Sequence, residues 1–191
     1  MDKAHVAEVI ESSTGDFLAE CRELNGSPPF GSFVKATGQS TVIGLVFSVS
    51  THSIEPNRRP TAYGKTEEEL RMEQPQIFEL LKTELGAVIV GYVDSTGAHP
   101  FLPPQPPRIH SFVHPCDAEE TRTFTATSDS LRTIVNTPRL PTDDLLIASV
   151  RNAWAARGRD KAYLVSIGKD LSRLIRDDYD RLSSVIRRIA Q

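Results

Sequence analysis

Residues Met72 to Val113 read MEQPQIFELLKTELGAVIVGYVDSTGAHPFLPPQPPRIHSFV, and this run decides the fold. Pro75 stops one short helix and opens another, because proline lacks the amide that an interior helical position must donate. Ile77, Phe78, Leu81 and Leu85 then fall at helical spacing, with Gly86 as the stop. Ala87–Val93 (AVIVGYV) is a short apolar strand leading to a hairpin-like tip. Pro100–Pro107 (PFLPPQPP) has too few N–H donors for a central strand and predicts a stiff extended loop. Ile109–Val113 closes the run as a last strand.

Toward the N-terminus the chain supplies strands to pair with this run. His5–Leu24 predicts a hairpin about Ser12-Ser13-Thr14-Gly15, and Gly31–Lys35 a third strand. Ser40–Ser50 (STVIGLVFSVS) is the strongest strand signal, with Gly44 marking a bulge or bend. Thr66-Glu67-Glu68-Glu69 then starts a helix, in which Thr66 caps the amide of Glu69 and Glu69 reaches back. Toward the C-terminus, Thr121–Thr127 alternates like an edge strand, and Pro138 and Pro141 mark a linker. Thr142 caps a helix with Asp143 and Asp144 in its first turn. Ala162–Ile167 fits strand or helix. From Lys169 one long amphipathic helix runs to the end, with Leu171, Leu174, Ile175, Leu182, Val185, Ile186 and Ile189 on one face.

Composition bounds the class. A chain of 191 residues suits one well-packed domain plus an appendage. With 39% hydrophobic and 25% charged residues it is ordinary for a globular protein. The net charge of −3 gives no overall pull toward nucleic acid, but the charge is uneven. Up to Pro138 there are 11 Lys/Arg against 18 Asp/Glu; from Arg139 onward there are 11 against 7. Cys21 and Cys116 form no C-x-x-C pattern and fit a reducing compartment. The opening MDKAHVAEVIESS lacks a signal-peptide pattern, and no apolar run approaches the roughly 18–20 residues a membrane span needs. A cytoplasmic protein is expected.

Several motifs invite chemistry and resist it. Gly64-Lys65-Thr66 looks like the end of a phosphate-binding loop, but Arg59 stands where the first glycine belongs, and the cap reading of Thr66 is better supported. His110, His114 and Cys116 suggest metal ligands, yet on one strand the two histidines would lie about 13 Å apart, at about 3.3 Å per residue. Glu67, Glu68, Glu69 and Glu73 read as a solvated helix face. No metal site, cofactor or catalytic constellation is expected, and the chain reads as non-enzymatic. Arg173, Arg176, Arg181, Arg187 and Arg188 could contact phosphates, although Asp170, Asp177, Asp178 and Asp180 interrupt the basic surface.

Taken together, FGSFVKATG, VIGLVFSVS, EEELRMEQPQIFELLKTELGAVIVGYVD and LPPQPPRIHSFV resemble the N-terminal barrel of HerA-type ATPases. That module is the HAS-barrel, similar to the N-terminal barrel of rotary ATP synthase catalytic subunits. The resemblance runs from about Val6 to Val113. It implies an α+β fold: a small antiparallel six-stranded β-barrel with a helical insertion, followed by a C-terminal helical extension. The boundaries are a barrel over 1–128 with the insertion at about 66–86, a linker at 129–141 and a helical region over 142–191. In HerA-type proteins a RecA-like motor follows the barrel. The residues after 141 are too few for one, so a barrel without the motor is expected and no ATPase chemistry is carried over to any residue.

The function this implies is a non-catalytic assembly or adaptor module, a barrel that self-associates, in a ring for instance, or docks on a larger ATPase or complex. Candidate contact residues are Phe101, Leu102, Ile109 and Phe112 around the proline run, with Leu182, Ile186 and Ile189 on the last helix. For Ile109 and Phe112 a place in the core is the stronger expectation. The alternative is a nucleic-acid-binding accessory protein that uses the five arginines named above.

Overall fold

The computed structural model describes residues 5–38, 40–138 and 140–191. The hairpin of β1 (Ala7–Ser12) and β2 (Asp16–Cys21) forms about the expected turn. β1 also pairs with β7 (Phe112–Pro115), β7 with β3 (Phe33–Ala36), β3 with β4 (Thr41–Ser53), and β4 with β5 (Leu81–Asp94). β5 returns to β2, which closes a six-stranded antiparallel barrel. A seventh strand, β6 (Gly97–His99), pairs only with the far end of β5.

Two hydrophobic layers explain why β4 and β5 read as nearly unbroken apolar runs. Val42, Val46, Leu85, Ala87 and Ile89 point into the barrel, where they meet Val9, Phe17, Val34 and Val113. The intervening Ile43, Leu45, Val88 and Val90 point outward under a helical layer. A strand covered on both faces loses the polar half of its alternation. The register of β4 with β5 does shift between Ile43 and Gly44, but the extra residue is Val90 of β5, so the irregularity lies opposite Gly44 rather than on β4. A Cβ at Gly44 would stand 2.8 Å from the Phe17 ring, so the barrel wall has room only for glycine.

The helices are α1 (Glu67–Glu73), a 3-10 helix over Pro75–Leu80, α2 (Ala118–Phe124), α3 (Asp129–Asn136), α4 (Thr142–Ala156), α5 (Lys161–Leu174) and α6 (Tyr179–Ile189). The capping box at Thr66 and Glu69 forms as read. The helix expected through Leu85 is cut to the 3-10 helix, because Leu81–Gly86 is claimed by β4 on one side and by β2 over Glu84–Gly86 on the other. Thr121–Thr127 is no strand. Its first half lies in α2, started by a second capping box in which Asp117 and Glu120 exchange bonds. The 129–141 stretch carries α3, whose Leu131 and Ile134 are buried in the helical layer. Thr142 lies inside α4 rather than capping it; its hydroxyl donates back to the Leu140 carbonyl at 3.3 Å. The single C-terminal helix is two, parted at Ile175–Asp178, where Asp178 accepts from the Arg181 amide and begins α6.

The helical region packs on the barrel. Phe124, Leu131, Ile134, Leu145, Leu146, Leu171 and Val185 share one core with Phe33, Leu45 and Val90. The loop before β3 is pressed against α4: at Gly31, φ +78°, a Cβ would stand 2.2 Å from the methyl of Ala148, and Asn152 donates to the Gly31 carbonyl at 2.5 Å.

Candidate docking surfaces

At one end of the barrel the β5–β6 turn builds a fixed aromatic rim. The Asp94 carboxylate accepts from the Thr96 hydroxyl at 2.6 Å, the Thr96 amide at 2.8 Å and His99 Nε2 at 3.0 Å. These bonds, the hydroxyl's foremost, pull its pKa down to about 2. His99 so held stacks on Tyr92 at 4.6 Å, and Phe101 stands edge-on to Tyr92 at 5.7 Å. Phe101 is nevertheless 55% exposed, and Leu102 beside it 48%.

The proline run is a loop with no strand over 100–107, but it bends at Pro100–Phe101 and again at Pro104–Gln105 rather than running extended throughout. Its far end is tied down where the Ser12 hydroxyl donates to the Pro107 carbonyl at 2.6 Å. Beneath it lies a cleft of about 610 Å³ lined in part by Thr37, Val42, Tyr92, Gln105 and Arg108.

The strand expected over Ile109–Val113 begins only at Phe112. His110 takes a left-handed turn at φ +69°, with its imidazole against Glu8 at 2.5 Å, and Ile109 is thrown outward at 48% exposure. Phe112 is 46% exposed, because its neighbour Val113 takes the inward position and strand side chains alternate. Its ring stacks on His5 at 4.2 Å. The core placement expected for Ile109 and Phe112 is therefore corrected: both are surface residues. On α6 two of the three expected contact residues are instead turned inward. Ile189 is core, Leu182 packs against the same helical core, and only Ile186 remains substantially exposed.

The arginines are largely engaged. Arg181 grips Asp143 of α4 through Nε at 2.8 Å and Nη2 at 2.7 Å, and Arg188 pairs with Asp144. Arg173 bonds Asp170 at 3.1 Å, and Arg176 lies 3.5 Å from Asp177. Among the described residues Arg187 alone of the five makes no ion pair. The first-turn aspartates of α4 thus serve as docking points for α6, a role that neither helix shows by itself.

The sequence's other chemical motifs are dispersed. Lys65 pairs with Glu73 across α1, and Gly64 is a left-handed turn before the cap. His110 faces Glu8, and His114 sits on β7 opposite Lys35. The Cys116 thiol is pushed up to about 12 by burial first and by Glu120 next. Among the described residues no group of three His, Cys, Asp or Glu is placed to hold a metal ion. No helix among them is long and apolar enough to cross a membrane.

No curated protein gives a significant match to the sequence. Residues 6–95, from β1 through the end of β5, match the family model described as the HAS barrel domain. The match stops short of the β7 strand that closes the barrel, whereas the quoted resemblance extends to Val113. Over this segment, a little under half of the chain, the barrel is similar to the HAS-barrel domain family.

Proposed function

We propose that the chain is a non-catalytic assembly module, a HAS barrel whose aromatic rim docks on protein, either further copies of itself or a larger ATPase-type complex. The observation that carries this reading is the exposure of Phe101, Leu102, Ile109 and Phe112 on either side of a loop anchored at both ends. Large apolar side chains held on a preordered surface lose little conformational entropy on binding, and aromatic anchors dominate protein interfaces. Such a rim suits a cytoplasmic scaffold better than a reaction site.

The nucleic-acid reading rests on the same arginines, but four of the five are already offset by aspartates. A phosphate backbone would have to displace those carboxylates. Light scattering on the purified chain across a concentration series tests the first reading, with Phe101→Ser/Phe112→Ser as its control. Assembly that the double substitution abolishes supports the rim. Duplex DNA or RNA binding that falls steeply with salt and disappears in Arg173→Gln/Arg176→Gln/Arg187→Gln would favour the second reading instead.

A further inference from the structure

β4 outruns its partner on one side. β3 pairs with it only over Val42–Leu45, and the last backbone bonds on that side join Val46 to Gly31 and Ser32. Beyond Val46 the pairing of β4 with β5 shifts register between Val46 and Ser48 and continues to Ser53. The bond from the Ile54 amide to the Leu80 carbonyl fixes the parity of this segment. Ser48, Ser50 and His52 exchange hydrogen bonds with β5, and the N–H and C=O groups of Val49 and Thr51 point away from it. Among the described residues no backbone group meets them. Ser48, Val49, Ser50 and Thr51 are exposed in succession, as a bare edge requires.

Open edges are normally blunted by lysine, glutamate, proline or a covering segment. Ser48-Val49-Ser50-Thr51 has none of these side chains. We infer that this edge is a self-pairing surface: two copies of the chain join β4 to β4, antiparallel, about a two-fold axis at Ser50. In that register Val49 of each copy faces Thr51 of the other, and the two residues exchange both N–H···O bonds. Ser48 faces His52, so no like charges oppose one another. The occupant is a second copy because the sequence of the edge is neutral and self-complementary. Ser53, which is buried, keeps the pairing centred on the exposed residues. A closed two-fold pair also consumes the edge, leaving no template for further addition. The inference rests on the self-association branch of the assembly reading but uses a surface separate from the rim.

The test is Ser50→Cys. Residues opposed on the axis in this register have Cα atoms about 4.5 Å apart, at the short end of the range a disulfide spans. Under mild oxidation the variant is expected to become a covalent dimer, while the natural chain, with Cys21 buried and Cys116 half-buried, does not. Val49→Pro removes an outward amide without touching a bond to β5, and is expected to reduce dimerisation at least tenfold. No cross-link in Ser50→Cys, or an oligomer unaffected by Val49→Pro, overturns the edge. If that oligomer is instead dissolved by Phe101→Ser/Phe112→Ser, the rim reading stands without it. A monomer at every concentration overturns the edge and the self-association branch of the rim reading together, leaving only docking of the rim on a different protein.

Discussion

Leu45 lies on the barrel, but its side chain is fully buried in the helical layer, among a cluster that includes Leu145, Leu146 and Val150 of α4. If barrel and helices fold as one body, shaving this side chain must weaken both. Leu→Ala at a buried site costs about 2–5 kcal/mol, from lost transfer energy and the cavity left behind. In a chain of this size each kcal/mol lowers the melting temperature by about 2–4 °C, so a central value near 3 kcal/mol gives about 6–12 °C. The single tryptophan, Trp154, sits on α4 and reports on the helices by fluorescence, while far-UV circular dichroism follows the whole chain. Leu45→Ala is expected to shift both transitions together by that amount. A shift in the circular dichroism transition with Trp154 unmoved would show that the barrel melts on its own, and the shared-core argument would be refuted.

Other substitutions probe the rim. At Gly91 a Cβ would stand 2.2 Å from the His99 carbonyl oxygen and 2.8 Å from the Phe124 ring, so Gly91→Ala should cost about 1–3 kcal/mol, with hydrogen exchange accelerated first across β5–β6. Asp94 has a depressed pKa, so its contribution is present above about pH 4 and fades as the pH falls toward 2; an NMR titration should find its carboxyl midpoint near 2, returning toward the ordinary range in Thr96→Val. Both thiols are raised by burial, Cys116 to about 12; a thiol reagent at pH 8 should label neither until the chain unfolds, and rapid labelling of native Cys116 would contradict its packing.

Much of the barrel was legible because its turns and strands carry local signals: the Ser-Ser-Thr-Gly turn, the β4 run with Gly44, and the proline loop. What failed depended on partners distant in sequence. Leu81 and Leu85 match a helix face as well as a strand, and only β2 and β4 decide between them. Thr121–Thr127 alternates like a strand, yet Asp117 and Glu120 just before it carried the capping-box signature of α2. Asp178 similarly announced the start of α6 within what looked like one long helix. The outward turn of Ile109 depends on the left-handed His110, which no apolar pattern reveals. The free edge of β4 follows from the shortness of β3, a property of pairing rather than of either strand alone.

The central claim, that this HAS barrel is an assembly module, is met most directly by its native mass under light scattering from low to high micromolar concentration. Species heavier than the 21.1 kDa monomer are expected, growing with concentration and diminished by substitutions at the rim or at the β4 edge. A constant 21.1 kDa at every concentration would contradict self-assembly and leave only docking on a different protein.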